Sequence, residues 1–211
     1  MREIELMMSG HLYYADDKEI NEKYKQAKQL IRMINKTTEK QWDYRVELLK
    51  KLFNKTGETL WIETPFQCDF GFNITLGDYF YANYDCIIID ACEVIIGNNV
   101  LLGPRVCIYT AGHPIDPDIR NLRLEYGKKV IIGNDVWIGG NTIITPGVEI
   151  GNNVVIGAGS VVTKNIPPNV VAVGNPCRVI RSITSEDKEC WQEHLYTRIR
   201  AKELNCELIT I

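Results

Sequence analysis

The chain has 211 residues, 45% hydrophobic and 24% charged, and a formal net charge of −3 at pH 7. This length predicts one domain with terminal additions, and the slightly acidic balance provides no basic field for nucleic acid or an anionic membrane. No apolar run approaches the roughly 18 residues that a membrane helix needs, and residues 1–8 lack the apolar core of a signal peptide. We therefore expect a cytoplasmic protein without nucleic-acid or membrane partners.

Residues 1–56 are predicted to form an N-terminal helical segment. Apolar side chains recur there at steps of three and four, as on one face of a helix, at Ile20, Tyr24, Ala27, Ile31 and Ile34. A second helix is predicted after Thr38, because Gln41 three residues later completes a capping box. We expect this helical pair to cover the open end of whatever β-structure follows.

Residues 57–181 contain a six-residue repeat that fits neither a helix nor a simple strand alternation. Its clearest part has an aliphatic residue at every sixth position, namely Ile132, Ile138, Ile144, Ile150, Ile156 and Val162. Such a period indicates a β-solenoid in which each hexapeptide supplies one short strand and one corner of a triangular coil. We predict an all-β core, a left-handed parallel β-helix, in which residues about 18 apart stack at about 4.8 Å.

The repeat is interrupted at residues 112–129, which are predicted to form an excursion loop from the wall of the solenoid. After the repeat, residues 182–211 are predicted to form a C-terminal helix and tail, because Thr184 and Asp187 form another capping box.

His113 is the one histidine within the solenoid, and it lies at the root of the excursion loop. An imidazole with a pKa near ~6.5 can accept a proton at neutral pH, which predicts a general base. Asn83 on an earlier coil and Gly140 on a later one are expected to lie within a few strand spacings of it. Gly140 and Ala158 should stack and leave a groove, with Lys164 placed to bind a phosphate. The alternative is that each of these residues is an ordinary structural or solvated side chain.

Several motifs resemble those of the maltose and galactoside O-acetyltransferases, a branch of the hexapeptide-repeat acyltransferases. The resemblance extends from about Ser9 to Arg181. It is carried by residues 81–86 (YANYDC), 109–116 (YTAGHPID), 132–140 (IGNDVWIGG), 157–164 (GAGSVVTK) and 174–181 (GNPCRVIR).

This resemblance implies a homotrimer with active sites between neighbouring prisms, in which residues 57–181 form the acyltransferase domain. It implies that His113 and Asn83 are catalytic, with His113 deprotonating a sugar hydroxyl that attacks acetyl-CoA directly, and that no metal is required. The residues expected to bind the acetyl-CoA cosubstrate are Gly140, Ala158, Thr163, Lys164, Arg178 and Arg181.

The same resemblance implies that the sugar acceptor contacts Asp17, Asp69, Tyr81, Asn83 and Asp90. This part carries over less well, because a serine of the galactoside enzymes falls on Asp69 and two of their aspartates fall on Ala15 and Ala91. The acceptor therefore stays open between maltose, glucose and a galactoside.

Two alternatives to a sugar acetyltransferase remain at this point. A xenobiotic acetyltransferase would share the base histidine and the excursion loop, although the helical segment before Ile74 argues against it. A trimeric scaffold that binds CoA or sugars without turnover is the non-enzymatic alternative. A zinc enzyme on the same solenoid is excluded, since His11 and His194 lie outside the repeats and cannot complete a three-histidine site with His113.

Overall fold

The computed structural model describes residues 1–208. Two compact units are distinguished, one spanning Met1–Ile180 and a second that begins at Arg181. The second unit contains the helix Ser185–Leu208. Among the described residues, no helix combines the length and the apolar composition that crossing a membrane requires.

The first unit is built around a left-handed parallel β-helix with three walls, which confirms the predicted fold class. The first wall consists of Ile74–Leu76, Val94–Ile96, Val130–Ile132 and Glu149–Ile150. The second wall consists of Leu60–Ile62, Phe80–Ala82, Leu101–Leu102, Val136–Ile138, Val154–Ile156 and Val170–Val173, and the strand Arg178–Ser182 follows it in the chain. The third wall consists of Phe66–Cys68, Cys86–Ile89, Cys107–Tyr109, Ile143–Ile144 and Val161–Val162.

The register between coils changes along the prism. Neighbouring coils are offset by 20 residues near the N-terminal end, as in the hydrogen bond from Asp78 to Asn98, and by 18 residues farther on, as from Asn134 to Asn152. Between them the offset is 36 residues, as from Asn98 to Asn134. The wall strands on either side of the 36-residue offset still pair in register. The additional residues therefore leave the solenoid and return to it, and the same positions of each strand continue to point inward.

The repeated aliphatic residues fill the inside of the prism. Ile132, Ile138 and Ile156 are at most 1% exposed and belong to one hydrophobic cluster that runs through all the coils. Burial of each such side chain is worth about 2 kcal/mol. Two polar residues in the same interior satisfy their hydroxyls locally, since Thr142 donates to the Gly139 carbonyl at 2.7 Å and Ser160 to the Gly157 carbonyl at 2.6 Å.

The N-terminal helices cover the first coil. They are α1 (Glu3–Met8), α2 (Lys18–Asn35), a 3₁₀ turn (Glu39–Gln41) and α3 (Trp42–Leu52). The predicted capping box of Thr38 and Gln41 is present, although it begins the 3₁₀ turn rather than α3 itself. Ile34 of α2 and Leu49 of α3 are completely buried in the same cluster as the first strands. The open edge of the sheet is thereby covered, as a solenoid end requires.

The excursion at residues 112–129 has secondary structure of its own. It begins with the short strand Ala111–Gly112, continues through the helix α4 (Pro117–Arg120) and returns as the strand Leu124–Gly127. The returning strand pairs antiparallel with Ala111–Gly112 on one side and with Tyr13–Tyr14 on the other. The N-terminal segment thus holds the excursion in place through a small three-stranded sheet.

Candidate functional site

One corner of the prism joins the second wall to the third and carries three of the predicted residues. Asn83, Gly140 and Ala158 all follow second-wall strands, so they lie on this corner in different coils. Main-chain hydrogen bonds connect the rungs, from Asn141 to the Pro104 carbonyl and from Gly159 to the Gly140 carbonyl, both at 2.9 Å. Asn83 and Gly140 are therefore separated at this corner by one intervening coil, the coil that contains Pro104.

The corner residues are small because the rungs approach closely. A Cβ atom on Gly139 would lie 2.5 Å from the Ala158 nitrogen, and one on Gly103 would lie 2.5 Å from the Gly140 nitrogen. Within residues 1–208 the Gly140 N–H has no hydrogen-bond acceptor. The corner thus combines closely packed small residues with a main-chain donor that makes no hydrogen bond to the described residues.

The side chain of Asn83 is hydrogen-bonded to the backbone of its own corner. Its side-chain oxygen accepts a hydrogen bond from the Tyr84 N–H at 2.8 Å. This contact orients the side chain, and the amide nitrogen is a donor with no hydrogen-bond acceptor among the described residues.

His113 lies on the next corner, which joins the third wall to the first. It immediately follows the strand Ala111–Gly112, and its imidazole is exposed without a hydrogen-bond partner in the described part of the chain. It lines a cavity of about 510 Å³, the His113 cavity, together with Ala15, Asp16, Arg120, Arg123 and Glu125. Arg120 donates to the carbonyls of Pro114 and Ile115 at 3.1 and 2.8 Å, which fixes the backbone beside the imidazole.

A second cavity of about 220 Å³ adjoins the first, with Ala15 and Glu125 lining both. Its other apolar lining residues are Tyr13, Ile20, Tyr24, Phe70, Ala91 and Ala111. The Tyr13 hydroxyl donates to the Glu125 carboxylate at 2.8 Å, and burial raises the pKa of Tyr13 far above its ordinary value. The tyrosine therefore stays protonated and holds Glu125 between the two cavities.

Asp69 also lines this second cavity and is paired with Lys28. The ammonium lies 3.3 Å from the Asp69 carboxylate, donates to the Cys68 carbonyl at 2.6 Å and lies 4.7 Å from the centre of the Tyr24 ring. Burial raises the pKa of the Asp69 carboxyl, and Lys28 opposes that rise.

Asp90 is completely buried below Asp69 and does not reach either cavity. Its carboxylate accepts from the backbone N–H groups of Asp69, Phe70 and Gly71 at 3.0, 2.9 and 2.6 Å. Burial raises the pKa of Asp90 to about 7. Asp90, predicted to contact the acceptor, instead holds the turn that presents Asp69.

The remaining acceptor residues lie apart from the two cavities. Asp17 caps the start of α2 by accepting from the N–H groups of Glu19 and Ile20 at 2.9 and 3.2 Å, and its neighbour Asp16 lines the His113 cavity instead. Tyr81 faces outward on the second wall, and burial raises the pKa of its hydroxyl.

The predicted phosphate-binding residues are exposed. Thr163 and Lys164 follow the third-wall strand Val161–Val162. Arg178 begins the strand after the second wall, and Arg181 forms a two-bond ion pair with Asp187 at 2.7 and 2.8 Å.

The wall assignments place the predicted catalytic residues on two corners of the prism. Asn83 and Gly140 share one corner, whereas His113 follows a third-wall strand and lies on another. That all three lie within a few strand spacings of one another stays a prediction. Arg123, Glu125 and Lys28 belong to no motif in the sequence, because their positions depend on the antiparallel pairing of the excursion and on the packing of α2. Among the described residues, no three His, Cys, Asp or Glu side chains form a metal-binding group. That no metal is required stays a prediction.

Comparisons with known proteins agree with this geometry. Residues 6–57 match the maltose acetyltransferase hexapeptide capping motif, and residues 129–164 match the six-repeat bacterial transferase hexapeptide family. The galactoside O-acetyltransferase of Escherichia coli K12 is 44% identical over 184 residues, covering 87% of this chain and 91% of that protein.

Two solved structures are also similar over most of their length. A maltose O-acetyltransferase from Clostridium difficile 630 superposes with a TM-score of 0.87 at 54% identity, covering 87% of this chain and 98% of that chain. A galactoside acetyltransferase in complex with coenzyme A superposes with a TM-score of 0.86 at 43% identity, covering 89% and 94%.

The coiled prism, its glycine-lined corner and these relatives define a hexapeptide-repeat acyltransferase. Within that class, the chain belongs to the maltose and galactoside O-acetyltransferase family.

Proposed function

We propose that the chain transfers the acetyl group of acetyl-CoA to a hydroxyl of a sugar, with maltose, glucose and galactosides as the candidate acceptors. The observation that carries this proposal is the exposed imidazole of His113, which has no hydrogen-bond partner among the described residues and lines a cavity of about 510 Å³. The relatives are named for maltose and galactoside acetylation, and one similar structure was solved with coenzyme A.

In this reaction His113 acts as the general base. Its neutral imidazole takes the proton of the acceptor hydroxyl while the hydroxyl oxygen attacks the thioester carbonyl carbon. The tetrahedral intermediate collapses with cleavage of the C–S bond, and the proton held by the His113 imidazolium passes to the departing thiolate, which leaves free CoA and the neutral base. No enzyme-bound acyl group is needed, so no serine or cysteine nucleophile is required.

The groove at the corner supports binding of the thioester. The Gly140 N–H lacks an acceptor in the described residues, and a main-chain donor aimed at a developing oxyanion is typically worth about 3 kcal/mol. Ala158 follows Gly140 on the same corner one coil later. The exposed cations of Lys164 and Arg178 suit the phosphates of CoA. Asn83 would contact the acceptor through its free amide nitrogen.

We further infer a homotrimer in which the His113 imidazole of one copy and the Asn83 amide of a neighbouring copy form one site, because the two residues lie on different corners of the prism. The outer face of the second wall carries an apolar column in which Trp61, Leu101 and Trp137 are 46%, 48% and 55% exposed. These residues are in register through Tyr81. An exposed column of this kind fits an interface with another copy of the chain.

The test of His113 is its replacement by alanine. We expect His113→Ala to lower acetyl transfer roughly 10²–10⁴-fold while the dissociation constant of CoA barely changes. The matched control is His11→Ala, since His11 is exposed and bonded to the Ser9 hydroxyl at 2.9 Å, and it should retain full activity. Turnover of His113→Ala close to that of the control would remove the general-base assignment, and loss of CoA binding would assign the histidine a structural role.

The acceptor is tested by thiol release from acetyl-CoA with maltose, glucose, thiogalactosides and chloramphenicol. Release with one or more of the sugars supports the proposal. Preference for chloramphenicol would make the chain a xenobiotic acetyltransferase. Release with none of them would favour a non-catalytic scaffold.

A further inference from the structure

Arg105 lies on the coil between those of Asn83 and Gly140, and the chemistry just described gives it no role. Its backbone N–H donates at 2.8 Å to the carbonyl of Tyr84, the residue after Asn83. Its side-chain Nε donates at 2.8 Å to the side-chain oxygen of Asn141, the residue after Gly140. Arg105 therefore connects the coil of the proposed acceptor contact with the coil of the proposed thioester contact.

The backbone of Arg105 adopts the left-handed conformation, with a φ of 57°. Main-chain hydrogen bonds of the same kind place Asp85, Asn141 and Gly159 at the equivalent position of other coils. Aspartate, asparagine and glycine tolerate this conformation, whereas a long side chain is strained in it. Strain of this kind is concentrated at functional sites, so an arginine at this position points to a use of its side chain.

The guanidinium of Arg105 is oriented at one end and open at the other. The bond from Nε to Asn141 fixes its direction, and the side chain is exposed. In the part of the chain that the structure describes, both terminal nitrogens lack a hydrogen-bond acceptor and no carboxylate forms an ion pair with them. A positively charged group with oriented donors is therefore held beside the Gly140 N–H, which also lacks an acceptor there.

We propose that Arg105 is a further catalytic residue, which stabilises the negative charge that develops on the thioester oxygen. When the acceptor oxygen bonds to the carbonyl carbon, an electron pair of the C=O bond moves onto that oxygen. The terminal N–H groups of Arg105 then donate to it together with the Gly140 N–H. When the C–S bond breaks, the pair returns to re-form C=O, the sulfur keeps the electrons of the broken bond and takes the proton from His113, and Arg105 keeps all its protons. This inference rests on the proposed acetyl transfer.

The test variant is Arg105→Asn, because asparagine adopts the left-handed conformation with less strain than arginine. With acetyl-CoA and a neutral sugar we expect kcat to fall about 10²-fold, the usual effect of removing one donor to an oxyanion. The KM for acetyl-CoA should change by less than about twofold, since the contact forms in the transition state. The melting temperature should stay the same or rise. A protein that is at least as stable and yet slower cannot owe its loss to misfolding.

The matched control is Tyr79→Asn on the corner between the first and second walls. Tyr79 also has a left-handed backbone, with a φ of 56°, and its side chain is 64% exposed. This variant relieves the same kind of strain away from the site and should keep the wild-type kcat. Arg105→Lys keeps the positive charge but loses the planar fork, so its kcat should lie between those of the wild type and Arg105→Asn.

Several results would overturn this role of Arg105. Wild-type kcat in Arg105→Asn, with His113→Ala inactive, would remove it and leave the proposed function intact. A raised KM for acetyl-CoA at unchanged kcat would make the guanidinium a cosubstrate-binding group, and a loss confined to acidic sugars would make it an anchor for the acceptor. If the wild-type protein releases thiol with no sugar, the proposed function fails and this inference with it.

Discussion

Asp90 is buried, and its carboxyl oxygens accept three backbone N–H groups of the turn that presents Asp69 to the cavity. In Asp90→Asn the amide nitrogen would replace one acceptor oxygen, so at least one of the three N–H groups loses its partner. A buried donor left unpaired costs about 1–3 kcal/mol. We expect the variant to be destabilised by that amount near pH 4, as measured by urea unfolding.

The pH dependence of the stability of the native protein and of Asp90→Asn tests whether burial raises the pKa of Asp90. Burial raises the pKa of Asp90 to about 7 from an ordinary value of 3.8. Between these values the unfolded chain has released the proton and the native chain retains it, so native stability falls as pH rises from about 4 to about 7. The slope is about 1.4 kcal/mol per pH unit for this one group. Asp90→Asn lacks this slope, and equal slopes for both proteins would show that Asp90 is ionised when folded.

The sequence singled out both Asp69 and Asp90 as acceptor residues, but it could not show that Asp69 lines a cavity while Asp90 supports a turn. Both are aspartates at the same kind of corner, one coil apart, and nothing local distinguishes them. Their environments distinguish them. Asp90 is completely buried against the turn of residues 69–71, whereas Asp69 lines the cavity. Lys28 was not predicted for a related reason, since α2 brings it to Asp69 across 41 residues of chain.

At the scale of elements, the corner between the second and third walls depends on glycine. In Gly139→Ala the added Cβ would lie 2.5 Å from the Ala158 nitrogen, and that backbone atom has to move. We expect a lower melting temperature and an increase of about tenfold in the KM for acetyl-CoA, because Ala158 lines the proposed pantetheine groove.

The matched control for this prediction is Gly97→Ala on the corner between the first and second walls. Its Cβ would lie 2.5 Å from the Asn134 side-chain oxygen and 2.8 Å from the Gly133 backbone, so it meets a similar clash. A similar loss of melting temperature with an unchanged KM for acetyl-CoA is expected. If both variants raise the KM alike, the groove has no special relation to the cosubstrate.

The six-residue periodicity predicts some elements of the structure and misses others. The six-residue repeat predicted the walls and their inward residues, because each hexapeptide repeats the same local geometry. The excursion at residues 112–129 has no repeat, and its strands pair with Tyr13–Tyr14 more than 100 residues away in the chain. A pairing of that range leaves no local pattern in a single sequence, so the segment was predicted only as a loop.

In the whole molecule, His113 and Asn83 lie on different corners of the prism, so the proposed active site is formed by two copies of the chain. Each copy would contribute the imidazole to one site and the amide to a neighbouring one, and in a closed trimer every copy does both. The sequence places the two residues on different coils, but which corner each occupies follows only from the wall assignments of their neighbouring strands.

This arrangement predicts complementation between two inactive variants. His113→Ala and Asn83→Ala should each have little activity alone. When they are unfolded together in equal amounts and refolded, three quarters of the trimers contain both chains, and each such trimer has one of its three sites intact. We expect recovery of about one quarter of the wild-type activity.

The control mixes each variant with His113→Ala, Asn83→Ala double-mutant chains under the same conditions, since no intact site can form in those mixtures. If only the mixture of His113→Ala with Asn83→Ala is active, and the mixtures with the double mutant are not, the site must be shared between copies of the chain. If that mixture is no more active than its parents while wild-type chains regain activity after the same treatment, each copy must complete its own site. The imidazole would then work without the Asn83 amide, on the His113 cavity of a single chain.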